Sequence, residues 1–238
     1  MQFKDSGKLK AITFSFDDGV TQDIQMIRLL DKYGLKATFH ICSGWLGKMA
    51  LSMGGGCRTP RYKIAEKHMQ EVYEGHEVAS HTINHVSLPD QTDEEVIRQI
   101  EEDRLKLSEV MGYEVVGLAY PGDPVGRENY DQRCIDLIKQ HTGIQYARTV
   151  GRGYREWTMP ADLYRIRPNL SMRAFDESME IAERFLTADP TEPQVLMMMG
   201  HCYEMDFASE NWYRMEQFFE KISNRDDIFY GTNKEIFL

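Results

Sequence analysis

The sequence predicts an α/β fold, a single TIM-like barrel of seven or eight parallel strands, and three observations predict it. Short apolar runs alternate with amphipathic stretches along the whole chain, the pattern of a parallel sheet covered by helices. The 238 residues suit one barrel domain spanning 1–238. Polar clusters rich in Asp, His and Gly follow directly on apolar runs, where a barrel gathers its functional groups on the face at the carboxyl ends of its strands.

The elements follow in order. Ala11–Phe16 is rich in β-branched and aromatic residues and reads as the first strand. Thr21 is placed to cap a helix that runs to Tyr33 and stops at Gly34. Lys36–Ile41 is the second strand, followed by a Gly-rich loop over Cys42–Pro60 that contains Gly54-Gly55-Gly56 and is expected to shape a pocket. A helix over Ile64–Tyr73 ends before Gly75, and His76–Ser80 is a short third strand. Thr92-Asp-Glu-Glu95 is a capping-box signature opening a long helix with Val96, Ile100, Leu107 and Val110 on one face. Val115–Tyr120 is the fourth strand, stopped by Pro121. Weaker strands are read at Ile144–Arg148 and Leu163–Arg167, then a helix at Ala174–Leu186 and a buried strand at Gln194–Gly200. A helix over Trp212–Ile222 and a strand at Ile228–Tyr230 close the chain. Met197-Met-Met199 reads as strand core, and His40, His68, His76 and His141 as structural or surface residues.

Composition narrows the class of partner. Lys and Arg total 28 against 38 Asp and Glu, a net charge of -10 that repels a phosphate backbone and argues against nucleic acid. The mean hydropathy is -0.51, and no run reaches the ~18 apolar residues of a membrane span. Met1–Lys10 lacks the apolar core of a signal peptide, so a cytoplasmic location is the expectation. Cys42, Cys57, Cys134 and Cys202 show no C-x-x-C spacing and read as free thiols. Oligomeric state has no signature in the sequence.

The chemistry lies at the strand ends. Asp17-Asp18-Gly19 follows the first strand, His81 and His85 the third, Pro121-Gly122-Asp123 the fourth and His201 the Gln194–Gly200 strand. In a barrel these segments converge. His81-Thr-Ile-Asn-His85 brings two imidazoles to one face if the segment turns helically, although two unrelated histidines have the same spacing. The position after the first His is Thr82, so the motif carries no general base of its own. Asp-Asp-Gly is also ordinary turn chemistry. Beside a two-His site, one of the two carboxylates can complete an Asp–His–His triad and the other can act as a base. One oxygen and two nitrogen ligands suit Zn²⁺ foremost, with Co²⁺, Ni²⁺, Mn²⁺ or Fe²⁺ as alternatives.

Thr13-Phe-Ser-Phe-Asp-Asp-Gly19 and Ser80-His-Thr-Ile-Asn-His85 resemble the first two signature motifs of the polysaccharide deacetylase (NodB-homology) family of carbohydrate esterases. The similarity extends through Leu118-Ala-Tyr-Pro-Gly122 to Met199-Gly-His-Cys-Tyr-Glu204. The resemblance implies a distorted (β/α) barrel and a hydrolase that removes an N- or O-linked acetyl group from a small or oligomeric saccharide. By position it makes Asp17 the base, Asp18, His81 and His85 the ligands of a divalent metal, and His201 the acid. It places the backbone N–H of Gly122 as oxyanion donor, with Tyr120 and Pro121 beside it as substrate-binding residues. The chemistry is coherent: a bound metal polarises the acetyl carbonyl and lowers the pKa of its water toward ~7, and an oxyanion donor is worth about 3 kcal/mol.

The chain departs from the family pattern twice. The Arg that steadies the base in many members is matched by Ala119, and Arg148, Arg165 and Arg167 are the candidates to replace it. The Asp and Trp that tune the acid have only Trp157 and Asp162 as counterparts. Cys202, Tyr203, Glu204 and Asp206 are cleft candidates without a role, and Tyr120 and Trp157 are read either as sugar-stacking rings or as core. Three rivals stand beside this reading. One is an amidase acting on a non-sugar C–N bond, and another is an inactive sugar-binding relative. The third is a non-haem iron oxygenase, which shares the triad but favours a jelly roll over alternating strands and helices.

Overall fold

A run such as Lys10–Asp17, with every residue buried, belongs at the centre of a sheet covered on both sides, and that is its place in the computed structural model. The structure describes residues 1–54, 57–122, 129–151 and 153–238. Gly55, Gly56 and Asp123 lie outside the described residues.

In chain order the strands are β1 (Lys10–Asp17), β2 (Ala37–Ile41), β3 (Met49–Gly54), β4 (Cys57–Tyr62), β5 (Glu77–Ser80), β6 (Gly117–Ala119), β7 (Tyr146–Arg148), β8 (Leu170–Ser171), β9 (Gln194–Gly200) and β10 (Ile228–Tyr230). The helices are α1 (Asp23–Lys32), α2 (Met69–Val72), α3 (Asp93–Met111), α4 (Gln132–His141), α5 (Phe175–Thr187), α6 (Asn211–Ile222) and α7 (Asn233–Phe237). The main sheet has eight parallel strands in the order β7-β6-β5-β2-β1-β9-β8, with β10 also on β1. On one side of β1, residues 10–16 pair with β9; on the other, residues 10–12 pair with β10 and residues 14–17 with β2.

A single segment links the two edges of this curled sheet. Ile166 bridges Arg148 of β7, while Leu170 and Ser171 pair with Met198 and Met199 of β9. The result is a distorted barrel with a strand of only two residues at its seam.

Period-two alternation along β1 decides what fills each side. Ile12, Phe14 and Phe16 face the helices and join Phe39, Tyr73, Phe185, Phe218 and Phe219 in the largest core cluster. Ala11 turns to a second cluster with Val195, Met197, Tyr146 and Phe237. Above it the residues of the same parity become polar: Thr13 donates to Asn233 at 3.0 Å, Ser15 lies 3.3 Å from His40, and Asp17 pairs with Arg148. A third cluster, with Val96, Ile100, Ile135 and Ile138, packs α3 and α4 against β6 and β7.

Several local expectations are corrected. Thr21 caps nothing: α1 starts at Asp23, whose carboxylate accepts the Val20 N–H at 3.1 Å. Residues 42–60 are not an open loop but carry an antiparallel hairpin, β3–β4. The Ile64–Tyr73 helix is reduced to a 3-10 turn and the single turn α2. Leu163–Arg165 is a 3-10 turn, and only Ile166 of that segment pairs with the sheet. The Thr92 capping box is half made, because Thr92 accepts the Glu95 N–H at 3.3 Å while the Glu95 carboxylate turns to Arg98 and Gln99. Cys42, Cys134 and Cys202 are buried free thiols. Among the described residues no helix is long and apolar enough to cross a membrane.

Candidate active site

β1 ends with Asp17 inside the barrel mouth. Its carboxylate is buried and pairs with the guanidinium of Arg148, itself 0% exposed, at the end of β7. Arg148 is in register with Ala119 of β6, so the two side chains share a face and the small Ala119 leaves the interior to the guanidinium. His40 stands 3.5 Å from the same carboxylate. Burial alone raises the Asp17 pKa, but Arg148 first, then the imidazoles of His81, His40 and His201, hold it far below the ordinary carboxylate range. Asp17 is therefore an anion fixed in place. His40 is a buried neighbour of this carboxylate rather than a surface residue.

Beside it, one oxygen of Asp18 and one nitrogen each of His81 and His85 lie within 4.8 Å of one another. His81 Nδ1 is 2.8 Å from the Ala119 carbonyl, which assigns its proton to Nδ1 and leaves Nε2 as the free lone pair. Among the described residues, that Nε2 and Oδ1 of Asp18 are buried with no hydrogen-bond partner. Two orphaned acceptors and a second imidazole fit a divalent cation. The positive charges of Arg61 and Lys63 also reach Asp18, at 3.1 Å to Oδ2 and 3.4 Å to Oδ1.

The His81–His85 segment is not a helical turn. Thr82 (φ 66°) and His85 (φ 56°) are left-handed, as is Asp18 (φ 86°), and the two imidazoles meet edge to face at 4.8 Å. Such residues cost about 1–3 kcal/mol each and persist only where neighbours over-determine them. Asp103 of α3 is one such neighbour, accepting from Ser43 N–H at 2.7 Å, Ser80 Oγ at 2.6 Å and His81 N–H at 3.2 Å. Gly44 is another: its N–H donates to Ile83 O at 3.0 Å, and a Cβ there would lie 2.5 Å from that oxygen.

Across the mouth, His201 follows β9. Its Nδ1 lies 3.0 Å from Glu204, which is 3% exposed and also accepts from Arg173 Nε at 2.6 Å. Burial would lower the His201 pKa, but the hydrogen bond and charge of Glu204 outweigh it and raise the value. Burial likewise works against Glu204, yet His201 and Arg173 hold it lowered.

The remaining predicted positions divide. Gly122 is exposed, and Pro121 is buried with its carbonyl accepting from Asn129 Nδ2. Tyr120 is 1% exposed, stacks on Tyr130 at 4.6 Å and donates to Tyr164 O, so its ring belongs to the core and not to the cleft. Trp157 packs edge-on against Phe185, and Asp162 caps the 3-10 turn at residues 163–165. Arg165 pairs with Asp162, and Arg167 lies over Tyr154. Asp206 accepts from Gln22 and Trp212. Sequence reasoning gave no role to Glu204, Asp103, Trp45, Arg61 or Lys63. The Glu204 signal was its spacing, three residues after His201, the same as in a capping box.

A family model described as polysaccharide deacetylase matches residues 4–146, which hold Asp17, Asp18, His81 and His85 but neither Arg148 nor His201. The Bacillus subtilis protein named "Putative polysaccharide deacetylase YxkH" is 27% identical over 177 residues, 72% of this chain and 57% of that protein. The chain thus spans little more than half the length of that relative. Among solved structures, the Xyl-CE4 domain of a multidomain xylanase from the hindgut metagenome of Trinervitermes trinervoides matches with a TM-score of 0.58 at 16% identity, over 97% of this chain and 89% of that one. Peptidoglycan deacetylase PdaC from Bacillus subtilis matches with a TM-score of 0.55 at 16% identity, over 97% and 91%. At these identities the likeness establishes the barrel.

Proposed function

Because this chain belongs to the polysaccharide deacetylase family, we propose that it is a metal-dependent hydrolase that removes N- or O-linked acetyl groups from a carbohydrate. The observation that carries this reading is the buried, ionised Asp17 beside the Asp18–His81–His85 group, with His201 facing them. Asp18, His81 and His85 would hold a divalent cation, zinc foremost, which would supply Lewis acidity toward the acyl carbonyl and acidify water.

The chain's own residues do the rest. Asp17 takes the proton of the attacking water as general base, and Arg148 keeps it charged and oriented for that task. His201 gives a proton to the departing amine or alkoxide, and Glu204 keeps that imidazole protonated and aimed. The Gly122 N–H is the oxyanion donor. It shares a peptide plane with the Pro121 carbonyl, so the Asn129 bond to that carbonyl sets the direction of the donor. Tyr120 supports this turn from the core instead of touching sugar.

The deciding measurement is acetate release from a panel of N- and O-acetylated saccharides. It would compare zinc- or cobalt-loaded protein with chelated protein and with Asp17→Asn. Metal-dependent release that is lost in the Asp17 variant supports the reading and starts to identify the sugar. Folded, loaded protein that releases acetate from no saccharide would move the chain to a non-sugar amidase or a non-catalytic binder.

A further inference from the structure

Two of the three side chains grouped for a cation stand on left-handed residues, Asp18 and His85, on strand ends separated by β2. The contacts that join them come from neither strand. Trp45, in the 3-10 turn at residues 43–45, lies nearly flat on the His85 imidazole, with centroids 5.5 Å apart and planes at 16°. The Lys63 ammonium stands 5.1 Å over that same indole. It also donates to the Asp18 carbonyl at 2.8 Å and lies 3.4 Å from Asp18 Oδ1. Asp18, Lys63, Trp45 and His85 thus form one unbroken chain of contacts.

Both clamp residues are themselves tied down. Gly44, next to Trp45, donates to Ile83 within the His81–His85 segment. Lys63 bridges Val20, its N–H donates to Lys48 O at 2.8 Å, and its side chain is only 3% exposed. A lysine buried so deeply must have partners, and Asp18 and the face of Trp45 supply them.

We propose that Trp45 and Lys63 are positioning residues for the cation site, holding Asp18 and His85 in their left-handed conformations before any cation binds. The inference rests on the reading of Asp18, His81 and His85 as ligands. Trp45 is the cleaner residue to change, because Lys63→Met would also remove a positive charge that repels the cation. Trp45→Leu keeps apolar bulk but loses the flat face; Trp45→Phe keeps a ring that can stack.

The experiment measures Zn²⁺ affinity without substrate, by competition with a chromophoric chelator, for parent, Trp45→Leu and Trp45→Phe. Circular dichroism of the metal-free proteins checks the fold. Loss of a hydrogen-bonded group that orients a ligand weakens metal binding about 10–100-fold, and the lower end of that range, about 10-fold, is the expectation for Trp45→Leu, with Trp45→Phe within roughly 3-fold of parent. Folded Trp45→Leu that binds zinc like the parent overturns the clamp, as does Trp45→Phe weakened as much as Trp45→Leu. A parent that binds no divalent cation instead overturns the ligand reading itself, and the clamp with it.

Discussion

Arg148→Met tests the ion pair at the centre of the barrel, because it removes the charge while keeping most of the side-chain length. Arg148 and Asp17 are both buried, so little water screens them. Unit charges about 4 Å apart attract by about 4 kcal/mol at an effective dielectric near 20. Removing one partner of such a pair costs about 3–5 kcal/mol, because the other charge stays buried alone. The loss depends on pH. In the parent the Asp17 pKa is depressed, so its stabilisation is present above the unfolded value of 3.8 and disappears as pH falls through the folded value. In the variant burial goes unopposed by Arg148 and the pKa rises. The folded state then holds its proton more tightly than the unfolded chain, and stability falls as pH rises. The gap between parent and variant should therefore be smallest at the acid extreme, where Asp17 is protonated in both folded proteins, be open already near pH 4, and widen to at least about 3–5 kcal/mol by pH 8 as the variant loses stability. Urea melts across that range measure it. The acid limb of kcat/KM should move upward in parallel, because the proposed base Asp17 acts only as the anion. Placing Ala119→Arg on this background returns a guanidinium from the paired strand and should recover part of both quantities. A pH-independent stability gap with parental kcat/KM would refute the assignment of Arg148 to Asp17.

Glu204→Gln removes the partner that raises the His201 pKa, so the protonated acid should be lost at lower pH and the alkaline limb of kcat/KM should shift down. An unmoved limb would mean that His201 is not the acid. Chelation should abolish acetate release with little change in circular dichroism, since Arg61 and Lys63 already balance the charge of Asp18, and added zinc or cobalt should restore it. Collapse of the spectrum on chelation would show that the cation holds the fold. At Gly117 of β6 a Cβ would fall on the Tyr146 hydroxyl, which donates to the buried Glu77 at 2.8 Å. Gly117→Ala should therefore cost about 1–3 kcal/mol in urea melts, and parental stability would show that the two strands can part freely.

What could be read from the sequence follows from where each segment faces. β1 and β9 are legible because long buried strands are rich in β-branched, aromatic and other large apolar residues, whereas β8 pairs over two residues and carries no periodic signal. The β3–β4 hairpin was hidden for the opposite reason. It covers the site and not the core, so Arg61 and Lys63 turn inward while Met49, Leu51 and Tyr62 are exposed. The Asp18–His81–His85 group is legible because each of its residues follows a strand, and the same logic puts Arg148 among three candidate arginines. Choosing between them required knowing which side chain enters the barrel. Glu204 is the sharper case. Thr92–Glu95, His201–Glu204 and Thr232–Glu235 share one spacing, yet only the last two close reciprocally. Glu95 has Arg98 one helical turn away to compete for its carboxylate, while Glu204 pairs with Arg173, brought from the β8–α5 connection. That distant arginine leaves the Glu204 carboxylate free to hold both the backbone and the ring of His201. A local helix-start signature thus becomes the group that orients the His201 ring, and the residue that permits it lies outside any window in which the signature is read.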